Sequence, residues 1–597
     1  MAGTFENLGR ATQADEVPAG TRGEARKDAI GRAVAAKQRI IDVAMGRAKA
    51  DLVLKNATYV NVFTQELSTA DIVIAEGRIA GIGLSSYEAD KEIDLSGRIV
   101  VPGLIDAHVH LESAMTMPSE FAKAVLPHGT TAVVTDPHEI VNVMGEDGFE
   151  FMMQATDGLP VDVFFGLSSC VPATSTEENG ADVDYRHFAR FYGNPRVVGL
   201  AEMMSYEDVC AGDPGVVERI ATAEAAGRVI DGHAPGVSGD KVCAYVASGV
   251  RSDHECSTMD EALEKMRLGA NIMIREGTAA HNLAALMPLI QERFADRLMF
   301  CCDDMHPSDL LEIGHMDNII RTAMDCGVPP IIAIKLATIN TARFFNLADR
   351  GAIGPGYIAD LVVVDDLATF NVTQVFKDGK VAYGEDGVAP FDAPAVDAAL
   401  LAKAHDSVHL GRLSAQDFCN EGELAVLGMV TGELITEDCG MASCIDLERD
   451  VLKAAVVERH RGTGHIGLGF IQNYGLKSGA VATSIAHDAH NVIVIGANEA
   501  DMAAAVNAIA DMKGGIVIVE DGQIKAEVPL PVAGLMSDAP LAQVNRDLEA
   551  AKAVATSMGV SDGVDPFMTL SFMSLSVIPL LRITTRGMFD VSTQEYR

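Results

Sequence analysis

Val101-Pro-Gly-Leu-Ile-Asp-Ala-His-Val-His110 decides how this chain is read. A short apolar run ends in Asp106, His108 and His110. Side chains alternate faces along a strand, which puts His108 and His110 on one side. Two imidazoles at a strand end can hold a divalent cation. An isolated His-x-His can equally end a strand in water, so the surrounding sequence has to decide.

Outward from that stretch, residues 101–345 alternate strand-like and helix-like segments. The strand candidates are Val101–Ile105, Ala132–Thr135, Val161–Leu167, Val197–Leu200, Val229–Ile230, a short one at Val250, Asn271–Ile274 and Leu298–Phe300. The clearest intervening helix is Ser257–Gly269, with Thr258 and Glu261 as a capping box and Gly269 as its stop. About eight strands with interleaved helices predict an α/β fold of the (β/α)₈ TIM-like barrel type. On either side lie short strands and tight turns. Ala50-Asp-Leu-Val and Ala75-Glu-Gly-Arg-Ile-Ala-Gly81 are echoed by Ala359-Asp-Leu-Val and Lys377-Asp-Gly-Lys-Val-Ala-Tyr-Gly384. Residues 50–100 and 346–395 therefore predict one small β-sandwich domain built from two pieces. Residues 1–49 predict an N-terminal helical segment, with the helix over Arg26–Arg47. Pro390–Pro394 reads as a linker, and residues 400–597 as a C-terminal α/β domain. That domain includes strands Val492–Ile495 and Ile516–Val519 and a helix Glu499–Met512 capped by Asn498.

Composition narrows the function classes. The net charge of -38, from 84 acidic against 46 basic residues, repels phosphates and anionic lipid and disfavours a polynucleotide substrate. Ten cysteines in 597 residues are sparse, and Met1–Glu16 lacks the basic start and apolar core of a secretory signal. A reduced, cytoplasmic protein is expected, with no membrane association. Phe567–Leu581 is apolar but broken by Thr569, Ser571, Ser574, Ser576 and Pro579, and is read as buried core.

In such a barrel the chemistry sits at the C-terminal ends of the strands. Those ends read Asp106-Ala-His108-Val-His110-Leu-Glu112, Asp136-Pro-His138-Glu139, Ser168-Ser169-Cys170, Leu200-Ala-Glu202, Asp231-Gly-His233, Asp253-His254-Glu255, Arg275-Glu276-Gly277 and Cys302-Asp303-Asp304. Any one of these is unremarkable, but reactive groups at nearly every end are not. Nitrogen and oxygen donors without cysteine spacing suit two divalent cations, with manganese or iron expected and zinc compatible. A water between them would become a hydroxide nucleophile.

These motifs resemble the amidohydrolase superfamily and, within it, the bacterial adenine deaminases. Asp106-Ala-His-Val-His-Leu-Glu-Ser113, Thr135-Asp-Pro-His-Glu-Ile140, Ser168-Ser-Cys-Val-Pro172, Leu200-Ala-Glu-Met-Met204, Asp231-Gly-His-Ala-Pro-Gly236, Met273-Ile-Arg-Glu-Gly277 and Cys302-Asp-Asp304 carry the likeness. Gly464-His-Ile-Gly-Leu-Gly469 and Ser484-Ile-Ala-His-Asp-Ala-His-Asn491 extend it into the C-terminal region. The resemblance implies hydrolytic deamination of adenine to hypoxanthine and ammonia in purine salvage. It implies His108, His110, His233, His254 and Asp303 as metal ligands.

Where many relatives place a carboxylated lysine, this chain has Glu202. Two roles are open to it: a bridge between the cations, which we favour, or a free acid that protonates N1. Asp303 is the candidate proton shuttle. Glu112, Ser169, Arg275 and Glu276 are candidates for reading the purine edge, or else loop-stabilising hydrogen bonders. Ala234-Pro-Gly236 stands where purine-nucleoside deaminases carry a glutamate, which leaves the N1 donor open. His487, Asp488 and His490 could form a lid, but read more simply as surface polarity. Gly464-x-x-Gly-x-Gly469 lacks the strand–loop–helix setting of a phosphate loop. A small purine base is the expected partner, with a homodimer as the expected assembly. The alternatives are a superfamily hydrolase of a cyclic amide or another amino-heterocycle, and a non-catalytic interaction protein that kept the barrel.

Overall fold

The stretch from Val101 to His110 is not one strand but two, parted at Gly103. Ile99–Pro102 pairs antiparallel with Leu361–Val364, whereas Leu104–His110 pairs in parallel with Thr130–Thr135. A Cβ on Gly103 would lie 2.2 Å from Thr131 Oγ1 and 3.0 Å from the Asp360 Cβ, so only glycine fits where the chain crosses between sheets. The expected first strand, Val101–Ile105, is corrected accordingly. The computed structural model describes residues 19–83, 87–278, 280–430, 435–561, 563–578 and 580–597. The Met1–Glu16 reading and Pro579 lie outside them.

Strands from both flanks share a single nine-stranded sheet. The first flank supplies Ala50–Asn61, Glu66–Ala75, Arg78–Gly83, Ala89–Asp94 and Ile99–Pro102. The second supplies Leu361–Val364, Val372–Lys377, Lys380–Gly384 and Gly387–Val388. The echoed turns explain the echo. Glu76-Gly77 and Asp378-Gly379 both take two successive left-handed residues, as two-residue hairpins require. Ala359 locks them together, donating its N–H to the Gly77 carbonyl at 2.9 Å and accepting the Gly379 N–H at 2.9 Å.

The central region supplies the parallel strands: β1 Leu104–His110, β2 Thr130–Thr135, β3 Asp162–Leu167, β4 Val197–Met203, β5 Val229–Gly232, β6 Ser252–Asp253, β7 Asn271–Arg275, β8 Leu298–Cys301 and β9 Asp303–Asp304. One sheet runs β5-β4-β3-β2-β1-β9 and another β6-β7-β8. Only Cys302 separates β8 from β9. Between β5 and β6 the Arg251 N–H donates to the Ile230 carbonyl at 3.0 Å. Apolar residues on both faces bury these strands as interleaved helices demand, with Val133, Val163, Phe165, Ile272 and Phe300 on one side and Ala132, Val134, Phe164, Met273 and Met299 on the other. Val250 precedes its strand rather than forming it. The helix after β6 spans Met259–Arg267, with Thr258 accepting the Glu261 N–H. Lys377 stitches the nine-stranded sheet to β3, 3.0 Å from Asp360 and 2.9 Å from Asp162, and Arg350 lies 2.7 Å from the same Asp162.

A long helix, Ala19–Ala44, leads in, and residues 389–397 have no regular structure before the C-terminal region. That region holds an eight-stranded sheet. Alternating residues serve its two faces. Ile493, Ile495 and Ile516 pack toward helix Leu541–Ser557, while Val492, Val494 and Val517 pack toward helix Glu499–Met512. Asn498 caps the latter, accepting the Asp501 N–H at 2.8 Å. No helix among the described residues is long and apolar enough to cross a membrane.

Candidate metal centre

Strand alternation does at β1 what the sequence implied. The His108 and His110 Nε2 atoms lie 3.3 Å apart, both buried. Asp106, one alternation earlier, accepts the Cys302 N–H at 3.2 Å and the His108 N–H at 3.1 Å, which ties β1 to the end of β8. Just beyond, Asp303 adopts a left-handed φ of 66°. That break starts β9 against β1 and brings Asp303 Oδ1 to 3.1 Å from His110 and 3.5 Å from His108. Arg275 holds the other oxygen, Oδ2, at 2.8 Å.

Glu202, at the end of β4, lies at the middle of the cluster. Its Oε2 lies 2.8 Å from His233 Nδ1 and 3.3 Å from His254 Nε2. Its Oε1 lies 3.2 Å from His138, 3.4 Å from His110 and 3.8 Å from His108. One carboxylate therefore straddles two sets of imidazoles. Burial opposes charge on Glu202, yet the surrounding histidines outweigh it and hold the carboxyl well below its usual range. Asp303 is lowered likewise, with Arg275 and then His108 and His110 overcoming burial.

The donor set fits divalent cations. Glu202 Oε1 is buried and approached by three imidazoles, yet hydrogen-bonded to none among the described residues. A buried polar atom in that condition costs free energy unless something else satisfies it. His108, His110 and Glu202 offer donor atoms within 4.8 Å of one another, as do His108, Asp231 and His254.

The other expected site residues are placed unevenly. Glu112 lines a cavity of about 510 Å³ beside the cluster. Burial pushes its carboxyl up to about 7. Ser169 instead donates to the Glu202 carbonyl oxygen at 2.5 Å, under the cluster. Arg275 pairs with Glu255 and Asp303, and Glu276 bonds His281 at 2.8 Å; neither lines that cavity.

Residues outside the expected set also converge here. Asp136 holds His138 at 3.1 Å and Asp231 lies 3.3 Å from His108. Surface polarity is wrong for the 487–490 loop: His487, Asp488 and His490 are all buried. His487 Nδ1 lies 2.9 Å from Glu139 Oε1, and His490 Nε2 bonds Glu139 Oε2. Phe567–Leu581 is more than core, since Phe567, Met568, Ser571 and Phe572 form the cavity's far wall.

A family profile described as "Amidohydrolase family" matches residues 99–382, and one described as "Adenine deaminase C-terminal domain" matches residues 430–595. The chain is 46% identical over 564 residues to an adenine deaminase of Desulfatibacillum aliphaticivorans, covering 93% of this chain and 98% of that one. It is 45% identical over 568 residues to an adenine deaminase of Kosmotoga olearia, again covering 93% and 98%. The chain belongs to the adenine deaminase family. As an adenine deaminase relative it carries an amidohydrolase-type enzyme fold, and His, Asp and Glu groups able to hold metal lie at the ends of its parallel strands. The second profile falls on the region that supplies His487, His490 and Phe572 to the cavity.

Proposed function

We propose that the protein hydrolyses adenine to hypoxanthine and ammonia, at a centre holding two divalent cations. The observation that carries this is Glu202, whose two oxygens face separate histidine sets. His108, His110, His233, His254, Glu202 and Asp303 would hold the cations. Manganese or iron suits this nitrogen and oxygen donor set, and zinc is compatible with it. When bound, divalent cations bring the pKa of a water from 15.7 toward about 7. The protein's own residues do the rest. Asp303 can hold a proton and pass it to the departing amino group. Glu112 faces the cavity as a hydrogen-bonding partner for the ring edge. Phe567, Met568 and Phe572 shield the reacting base from bulk water.

In this reading β1 to β9 close into one (β/α)₈ barrel, since β9 returns to β1 and the Arg251 hydrogen bond spans the gap between β5 and β6. The nine-stranded sheet is the small composite β-domain, folded over its own core of Leu54, Ile72, Leu361 and Phe376. The catalytic unit is then residues 101–345, capped by residues 400–597. The net charge of -38, which repels nucleic acid and anionic lipid, fits an enzyme of purine salvage working on a small base in the cytoplasm.

Ammonia release over a panel of adenine, adenosine, other aminopurines, cytosine and cyclic amides tests the proposal. Adenine should be turned over, and adenosine excluded by the bulk of ribose at N9. Misfit of that kind costs several kcal/mol. Comparable rates on both, or activity confined to the cyclic amides, overturns it.

A further inference from the structure

Glu139, at the head of the helix following β2, stands between the metal-binding cluster and the cavity. Its carboxylate lines the cavity and lies 3.4 Å from His138, which in turn lies 3.2 Å from Glu202. Both Glu139 oxygens are taken by the C-terminal region, one by His487 and one by His490.

The two histidines play different parts. His490 Nδ1 accepts the Ala486 N–H at 3.2 Å, so the hydrogen of its neutral ring sits on Nε2 and is donated to Glu139. That tautomer leaves no lone pair for a cation at Nε2, which makes this trio a hydrogen-bonded unit rather than another metal site. His487 places Nδ1 2.9 Å from Glu139, which leaves Nε2 as its other ring nitrogen. With Nδ1 engaged by Glu139, Nε2 is the nitrogen left to His487 for the cavity it lines. Phe572 stacks on the ring at 4.4 Å and 14°, fixing its plane. The backbone is tied on both sides, with the His487 N–H donated to Ser571 O at 3.0 Å and its carbonyl accepting Ser574 Oγ at 3.1 Å. Fully buried Arg459 anchors the loop at the His490 carbonyl.

We propose that His487, contributed by the C-terminal region and oriented by Glu139, is the acid that protonates N1 of the substrate ring. The inference rests on the adenine reading above and deepens it. As a water-derived oxygen nucleophile adds at C6, the C6–N1 π pair moves onto N1. There it takes the Nε2 proton of the His487 imidazolium, leaving a neutral ring whose Nδ1–H stays on Glu139. The amino nitrogen takes the proton surrendered by the water and kept on Asp303, and the C6–N bond breaks to release ammonia. The C6 hydroxyl proton, freed as the carbonyl forms, returns to His487.

The charges facing His487 favour its protonated form. Burial opposes it, but Glu139, Asp304 and Asp488 outweigh burial and lift the ring to about 9. His490, His306 and Glu112 line the same cavity, and His138 lies 3.4 Å from the Glu139 oxygen that faces His487.

The test uses full-length His487→Gln and His487→Ala, checked for cation content and thermal unfolding against the wild type. With adenine, turnover should fall at least ~10²-fold in both, the usual scale for a general acid. The wild type should show an alkaline decline in kcat/KM centred near 9, and both variants should lack it. Added imidazole should restore His487→Ala in proportion to its imidazolium fraction. Turnover within threefold of the wild type, or a loss that leaves the pH limb in place and ignores imidazole, overturns the inference alone. A wild type that releases no ammonia from adenine overturns the underlying reading and this role with it. If neither variant keeps its cations, Glu139→Gln decides. The amide still accepts the Nδ1–H but removes the charge, so the alkaline limb must move to lower pH, and a stationary limb refutes the role.

Discussion

Replacing Glu202 by glutamine keeps the shape of the side chain and removes one negative charge from between two histidine sets. The histidine nitrogens lie 2.8–3.8 Å from its oxygens. At about 4 Å and an effective dielectric near 20, two unit charges interact by about 4 kcal/mol. Taken as a floor for a divalent ion, that amounts to about 10³-fold in affinity. The loss should fall on holding a second ion beside the first, because two nearby cations also repel each other once the anion between them is gone. The assay is cation content by elemental analysis after equilibration at graded free-metal concentrations, with circular dichroism and thermal unfolding as folding controls. The wild type should retain two ions per chain. Glu202→Gln should retain about one, or reach two only at about 10³-fold higher free metal, with activity lost. A variant that holds two ions as tightly as the wild type and loses only turnover would show that Glu202 does not bridge. The free-acid role would then replace it.

Three further outcomes are expected. Asp303→Asn should fold and lose at least ~10²-fold in turnover, measured as ammonia release, since the amide cannot take up the proton; near-normal activity removes Asp303 from the mechanism. Lys377→Met leaves buried Asp360 and half-buried Asp162 without their shared cation, and urea unfolding should register a loss of about 3–5 kcal/mol; less than about 1 kcal/mol would mean Arg350 suffices. Burial and neighbouring Asp488 push Glu177 up to about 8, well above the usual 4.5. The proton bound in the folded state stabilises it fully below about 4.5, and that contribution is lost as pH rises toward 8. Glu177→Gln, which keeps an acceptor for Ser576, should therefore match the wild type near pH 4.5 and exceed it in thermal stability near pH 8.5.

The parts legible from sequence are those whose cause is local. Strand alternation alone aligns His108 with His110. The Asp-Gly and Glu-Gly turns betray the two-piece sheet because two left-handed residues in succession are costly for most other pairs. Asn498 announces its helix through one side-chain hydrogen bond three residues away. Gly103 was not legible as a boundary. Nothing near it in sequence shows that Thr131 and Asp360 crowd the space where a side chain would go. The kink at Asp303 is similar, because its left-handed backbone is imposed by pairing with β1 and not by the residue itself.

The C-terminal contribution was hidden for a further reason. His487, Asp488 and His490 look like surface residues because polar side chains in a loop are usually solvated. They are buried here because Glu139 is buried opposite them, and Glu139 in turn keeps its charge because His487 and His490 are there. Each half of that pair, read alone, belongs in water; only together do they belong inside a protein. The halves are 351 residues apart, so no local pattern can join them. The one available signal was the His487-Asp-Ala-His490 spacing itself, between strands Ala480–Thr483 and Val492–Gly496. Two imidazoles so placed in an otherwise apolar stretch need an acid partner elsewhere. The unassigned acids at the strand ends were the place to look, and Glu139, one residue beyond His138, was among them.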